Sequence, residues 1–383
     1  MIFNLFQLPG QQTDPLGLIF QLLFFFLIFI SMFYGQKLQA WQASKKIEAA
    51  LEKLKGWNKE SKQTLVSKFK NFSDTKETEK DLLIKLEDFM TFVTIAPVTL
   101  DPSGVIPKFD QIIDVRDNRF EDKVEELAPK ADSIERQNLE NLLEASMAVD
   151  YVERLIKHYL ILGKKSKSMI LLMQISMQLT LIMAMAKSYY NATKAFSEGS
   201  PIGDALGPMV AGSFVRDVAP NIDEITSHDI VKDTIVQEVS FEDRNVYIVR
   251  AKGPGGTVGK PGKAIKKLIE EHGNKISRII MIDAGLKLEG EKSGSVAVGV
   301  GAAIGGVGIE KYYIEESSTE KTIPIDALIC KQSLEDAITT MSRSITRSVP
   351  DFVAKIKESI RKRTEKGSSI IIAGIGNTIG IGI

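Results

Sequence analysis

The 383-residue sequence contains one cysteine, Cys330, so neither an intrachain disulfide nor a multi-cysteine metal site can form. That composition fits a reducing compartment. Histidine is nearly as scarce. His158, His228 and His272 fall in separate segments, which leaves no histidine cluster for zinc and no hydrolytic triad to trace. A charge of one sign is also missing, because 49 lysines and arginines balance 49 aspartates and glutamates. No global field therefore draws in nucleic acid, which is not an expected partner. The one basic run, Lys355 to Lys366, carries Glu358 and Glu365 and no aromatic residue, as a solvated helix face does. No internal repeat is present.

Charge is absent altogether between Asp14 and Lys37. The core of that run, Leu16 to Tyr34, is long enough to cross a hydrocarbon layer of about 30 Å at about 1.5 Å per residue. A cleaved signal would need basic residues before the run and small residues closing it, and neither is there. Residues 1–35 are thus expected to be a transmembrane anchor whose partner is the lipid bilayer. Lys37, Lys45, Lys46, Lys53 and Lys55 follow the run and no lysine or arginine precedes it. The positive-inside rule then puts the N-terminus outside and the body in the cytosol, as a single-pass protein of the cell membrane. Glu48 and Glu52 interleave with those lysines as ordinary helix pairs.

Residues 36–200 read as a helical stalk and bundle. Trp41, Ile47, Leu51, Leu54, Leu65 and Phe69 recur at helical spacing, and Lys55-Gly56-Trp57-Asn58 is expected to break the stalk into two helices. Met169 to Ala186 is a second apolar stretch. Gln174, Ser176, Gln178 and Thr180 would be costly in lipid, which favours a helix buried in a bundle over a second span. After Ser200 glycine and β-branched residues increase. Thr234–Phe241 and Asn245–Ala251 predict a hairpin, residues 262–271 a helix, and Arg278–Ala284, Ile323–Lys331 and Ser369–Gly376 further strands. The fold class is therefore mixed α+β: a transmembrane helix, a helical stalk and bundle, and an α/β domain with a mixed sheet over 201–383.

Glycine-rich segments carry the candidate chemistry. Lys252-Gly253-Pro254-Gly255-Gly256-Thr257-Val258-Gly259-Lys260 links a strand to a helix, where backbone amides and a helix N-terminus suit an anion. It is not a triphosphatase loop, because Pro254 and Pro261 occupy positions that motif reserves for glycine and a hydroxyl residue. Asp283, Glu289 and Glu291, with Lys287, form a carboxylate-rich stretch at a strand end. Such a group suits a divalent ion, magnesium being the candidate, or acid–base work. Ser295 to Gly308, and Gly374, Gly376 and Asn377 near the end of the sequence, give glycine spacings one residue longer than the dinucleotide fingerprint. Pro201 to Pro208 reads as a linker turn, with Asp204 facing a shared cleft as the alternative. Lys252–Lys263 and Asp283–Glu291 each follow a strand, and adjacent parallel pairing of those strands would bring them to one sheet edge.

Leu100-Asp-Pro-Ser-Gly104, Ala251 to Gly256, Ile282-Asp-Ala284, Lys287 to Glu291 and Gly374 to Thr378, together with the N-terminal run, resemble an archaeal family of membrane-anchored proteins catalogued as a domain of unknown function. The resemblance spans nearly the whole chain, implies an archaeal source, and brings no reaction with it. Whether the protein is an enzyme stays open. Two functions remain: a membrane-tethered cytosolic protein that binds a phosphate-bearing small molecule or nucleotide, or a non-catalytic scaffold whose stalk self-associates.

Overall fold

The computed structural model describes residues 15–101, 104–221, 225–306 and 308–382. Residues 1–14, the start of the expected anchor with its outside N-terminus, fall outside that range. The described residues open with one uninterrupted helix, α1 (Pro15–Phe72), 58 residues long. The expected break at Gly56 does not occur. A lone helical glycine costs only about 1 kcal/mol, its neighbours are strong helix formers, and Trp57 is anchored by stacking on Tyr190 at 5.8 Å. Four helices follow: α2 (Glu79–Phe89), α3 (Val105–Leu127), α4 (Ser133–Lys165) and α5 (Met169–Glu198). Thr78 starts α2 with a reciprocal cap, accepting from the Asp81 N–H while the Asp81 carboxylate accepts from the Thr78 N–H.

Two compact units divide the chain: Met1–Lys55 with Val152–Met183, and Gly56–Tyr151 with Ala184–Ile383. In the first, Ala40, Ala43, Ile47, Leu51 and Leu54 of α1 are buried, as are Ile156 and Leu160 of α4 and Leu172 and Leu179 of α5. Upstream in α1, large apolar side chains from Leu16 to Phe29 are exposed. Helix α5 corrects the buried-helix expectation. It is long and apolar enough to cross a membrane, with a mean hydropathy of 1.8, yet only 22% of its most apolar window is buried. Ile170, Met177 and Leu181 all face outward. Apolar composition makes a core helix only where neighbouring helices surround it, and here they cover only the stripe through Leu172, Leu179 and Ala186.

The second unit has a helical part and a sheet. Leu65 and Phe69 of α1, Leu82 and Leu86 of α2, Phe120 and Val124 of α3, and Leu139, Leu142 and Leu143 of α4 share one core. Beyond them lie a short 3-10 turn, Gly203–Ala205, and α6 (Leu206–Val218). The sheet strands are β1 (Thr226–Val231), β2 (Thr234–Phe241), β3 (Arg244–Ala251), β4 (Ile276–Leu286), β5 (Val296–Val300), β6 (Ile325–Gln332) and β7 (Ser369–Gly374). Their spatial order is β1-β2-β3-β7-β4-β6-β5. The run β3-β7-β4-β6 is parallel, and the edges β1, β2 and β5 are antiparallel, so the sheet is mixed as expected. The loops after β3 and β4 share an edge, but the two strands are not adjacent. β7, Ser-Ile-Ile-Ile-Ala-Gly, is buried along its whole length and takes the centre between them, the position that suits the most apolar strand of a sheet covered on both faces.

Alternation along β7 shows how the faces are covered. Ile370 and Ile372 pack with α6 and α11 (Val349–Arg363), whereas Ile371 and Ala373 pack with α7 (Pro261–His272) and α8 (Ile309–Glu320). Short helices α9 (Leu334–Ile338) and α10 (Arg343–Thr346) connect β6 to α11.

Candidate functional site at the carboxyl edge of the sheet

Doubly covered parallel sheets present ligand sites beyond the carboxyl ends of their strands, and a cleft of about 400 Å³ lies there. Its wall includes Gly259 and Lys260 after β3, Ile375 and Gly376 after β7, Asp283 and Ala284 in β4, and Ile304, Gly305, Gly306, Gly308, Ile309 and Glu310 leading into α8. Asp110, Ile113 and Asp117 of α3 and Asp204 of the 3-10 turn complete it. Asp204 and Asp283 come from distant parts of the sequence and are electrostatic neighbours. The N–H of Asn377 donates to Asp204 Oδ2 at 2.7 Å, and the N–H of Ala284 donates to Asp283 Oδ1 at 2.7 Å. Burial, then the Asp204 carboxylate, pushes the Asp283 carboxyl up to about 8. Burial raises Asp204 too, against the opposing hydrogen bond from Asn377. Two carboxyls held this way favour a shared proton or a cation between them.

The cationic side of the cleft is already engaged. Lys260 pairs with Asp114, and Lys263 with Asp110 at 2.8 Å. The first-turn amides of α7 are also satisfied: Gly262 N–H and Lys263 N–H both donate to Glu310 Oε2, at 2.5 and 3.2 Å. A carboxylate thus holds the anion position that the α7 N-terminus offers. Burial raises the Glu310 carboxyl, with those amides opposing it. A second cavity of about 520 Å³ shares Asp117, Val258, Gly259 and Lys260 with the first. There Glu140 is pushed up to about 8 by burial, then by the charges of Glu121 and Glu144.

The sequence-predicted residues separate into three groups. Gly259, Lys260, Gly376 and Asp283 line the cleft, and Gly256, Thr257 and Asn377 line the neighbouring cavity. Gly253, Gly255 and Gly374 pack against protein instead: a Cβ would overlap the Ile381 carbonyl at Gly253, the Gln137 side chain at Gly255, and at Gly374 the Gly207 carbonyl at 2.5 Å. Lys252 turns away to an exposed pair with Asp229 at 2.7 Å. The expected carboxylate cluster does not assemble. β4 continues past Asp283 to Leu286, and at about 3.3 Å per residue that carries the following acids away from the cleft. Glu289 is exposed, and Glu291 accepts the Leu288 N–H at 2.6 Å and faces Lys331. Among the described residues no three His, Cys, Asp or Glu side chains form a metal cluster.

Asp204 proves to face a cleft rather than to sit in a mere linker. Asp110 and Glu310 of the cleft, and Asp114 and Glu140 of the neighbouring cavity, carried no signal, because each lies on an ordinary charged helix and meets its cavity only through tertiary packing. Nothing among curated proteins or solved structures matches the chain. Two family profiles do, end to end: "Protein of unknown function (DUF1512) N-terminal domain" over residues 21–199, and "Domain of unknown function (DUF1512) C-terminal" over 202–382. Between them they cover nearly all of the helical region and of the sheet domain with its cleft, and the chain belongs to the DUF1512 family.

Proposed function

We propose that this protein binds a phosphate-bearing small molecule, carried with a divalent cation, in the cleft at the carboxyl edge of the sheet, and that α1 tethers it to the membrane. The observation that carries the reading is that Asp204 and Asp283 line one cleft, where burial raises the proton affinity of both carboxyls. Magnesium commonly takes only one or two protein carboxylates and completes its shell with water and ligand phosphate. Two aspartates facing one cleft fit that pattern better than a protein cage does. Lys260, Lys263 and the α7 amides supply the anion-binding groups, and a phosphate engages them by exchanging with Asp114, Asp110 and Glu310.

The test is calorimetry on the full chain in detergent, with inorganic pyrophosphate and adenosine triphosphate, each with and without Mg²⁺. Binding that requires the metal is expected, with Lys260→Ala weakening it by roughly 1–3 kcal/mol and Asp283→Asn abolishing the metal requirement. Absence of binding at millimolar concentrations, or binding indifferent to both substitutions, sinks the reading. The scaffold alternative then takes the lead. It draws support from the glycines at 253, 262, 374 and 376, where neighbouring backbone leaves no room for a side chain.

A further inference from the structure

A second feature of the molecule lies far from the cleft in sequence. From Leu155 to Ser197 there is no aspartate or glutamate, while lysines stand at 157, 164, 165, 167, 187 and 194. Most of this stretch is α4 and α5 and the turn between them, Ser166 to Ser168. Exposed helix faces in water normally mix both signs of charge. Here the outward face of α5 is uncharged, running through Ile170, Gln174, Met177 and Leu181, and Ile161 and Leu162 are exposed before the turn. Lys164 reaches Glu48 at 2.5 Å, whereas Lys165 and Lys167 make no ion pair among the described residues.

Contacts within the first compact unit place that turn. Lys164 meets Glu48, Lys46 donates to the Ser176 carbonyl at 3.4 Å, and Gly163 lies against Leu172. α4 approaches α1 from the direction of Lys55, whose charge Glu153 neighbours, and runs toward Glu48, which Lys164 meets. The turn therefore lies on the side of α1 that leads down to Trp41, Leu38 and Lys37. Ser168 is eight residues before Ser176, or about 12 Å along the helix, which sets it near the level of Leu38. Trp41 is 59% exposed there, and Tyr34 is 64% exposed one to two turns further on. Exposed tryptophan and tyrosine where an apolar helix ends, with lysines just beyond, are the side chains that settle at a bilayer's headgroup layer.

We infer that the α4–α5 turn is a second membrane contact, seating on an anionic lipid surface beside the foot of α1 through Lys165, Lys167 and the flanking apolar residues. The acid-free stretch and the unpaired lysines are complementary to negative headgroups. The turn lies at the level where the apolar run of α1 gives way to lysines, which makes the contact continuous with the anchor. The inference rests on α1 being inserted.

The full chain, reconstituted into phosphatidylcholine vesicles with or without phosphatidylglycerol, is labelled with a nitroxide at Ser166→Cys or at Leu22→Cys. Native Cys330 is fully buried, and labelled wild-type chain sets the background. Collision with oxygen and with a water-soluble nickel chelate reports depth. The Leu22 label is expected deep in both vesicles. The Ser166 label should reach the headgroup layer only when phosphatidylglycerol is present, and return to water in the Lys165→Glu/Lys167→Glu variant. A deep Leu22 label with Ser166 in water in the anionic vesicles overturns the inference and leaves the anchor standing. A Leu22 label in water overturns both.

Discussion

Two glycine-rich loops border the cleft and use glycine for opposite reasons. In the loop from Gly253 to Gly262 the absent side chains leave room for other parts of the protein. At Gly262 a Cβ would overlap the backbone of Glu310, so α7 and the first turn of α8 approach closely because no side chain stands between them. From Gly301 to Gly308 nothing lies within 4 Å of where a Cβ would be at Gly301, Gly305, Gly306 or Gly308, and the last three line the cleft. The first loop is packed against protein and the second has open space beside a cavity. Composition alone cannot tell them apart, because both read as glycine near a strand end.

Substitutions test that contrast. The largest effect is expected from Gly262→Ala, which must push α7 from α8. A loss of roughly 1–3 kcal/mol in unfolding free energy is predicted, the usual range for overpacking. Thermal unfolding followed by circular dichroism measures it, and a loss below about 1 kcal/mol would break the comparison.

Asp283→Asn comes next, and its effect grows with pH. The folded carboxyl titrates near 8 and an unfolded one near 4. Between those values the folded state binds more protons, so the Asp283 contribution to stability is full below about pH 4, declines through the window, and is lost above pH 8. Asparagine keeps the acceptor for the Ala284 N–H and removes the titration. The variant should match the wild type near pH 4 and exceed it by a few kcal/mol near pH 8, read from denaturant midpoints across that range. A constant difference at all pH values would show that Asp283 does not titrate in the window.

Glu310→Gln should cost about 1 kcal/mol, since an amide oxygen still accepts from Gly262 and Lys263 but loses its charge at a helix N-terminus. It also sharpens the functional reading, because pyrophosphate should bind the variant more tightly than the wild type in calorimetry. Gly305→Ala is expected to shift stability by less than about 0.5 kcal/mol, as ordinary surface changes do. A loss as large as that at Gly262 would place the second loop in the packed class as well.

Local signals were legible in the sequence. The β2–β3 hairpin was predicted from its turn, and Glu242 and Asp243 adopt positive φ of 49° and 62°, the left-handed conformation such two-residue turns demand. The strands at β4, β6 and β7 appeared as β-branched runs. What failed to show was decided at long range. β5 gives no strand signal within the glycine-rich run from Ser295 to Gly308, because its residues carry so little side chain, and it is a strand by virtue of its pairing with β6. The α1 break at Gly56 was predicted from a local penalty that the tertiary contact of Trp57 outweighs. Asp283 was identified because it ends an apolar strand, but its partner Asp204 lies across the domain and only one of two readings brought it to the cleft. Glu289 and Glu291 followed Asp283 in sequence, and proximity along the chain misled where strand geometry separates residues quickly.

The central position of β7 has a consequence for how the domain comes into being. β3 and β4 cannot complete the sheet with each other, since the strand between them is the last of the seven to be made. A nascent chain that has not yet released residues 369–374 holds two apolar strands with open edges facing a gap. Closing that gap joins segments more than a hundred residues apart along the backbone, from β3 near 245 to β7 near 370, and such distant pairings are slow to form. The two halves of the sheet, β1-β2-β3 and β4-β6-β5, therefore join late, around a strand that serves as their keystone, and until then the exposed edges are the surface a chaperone has most reason to cover.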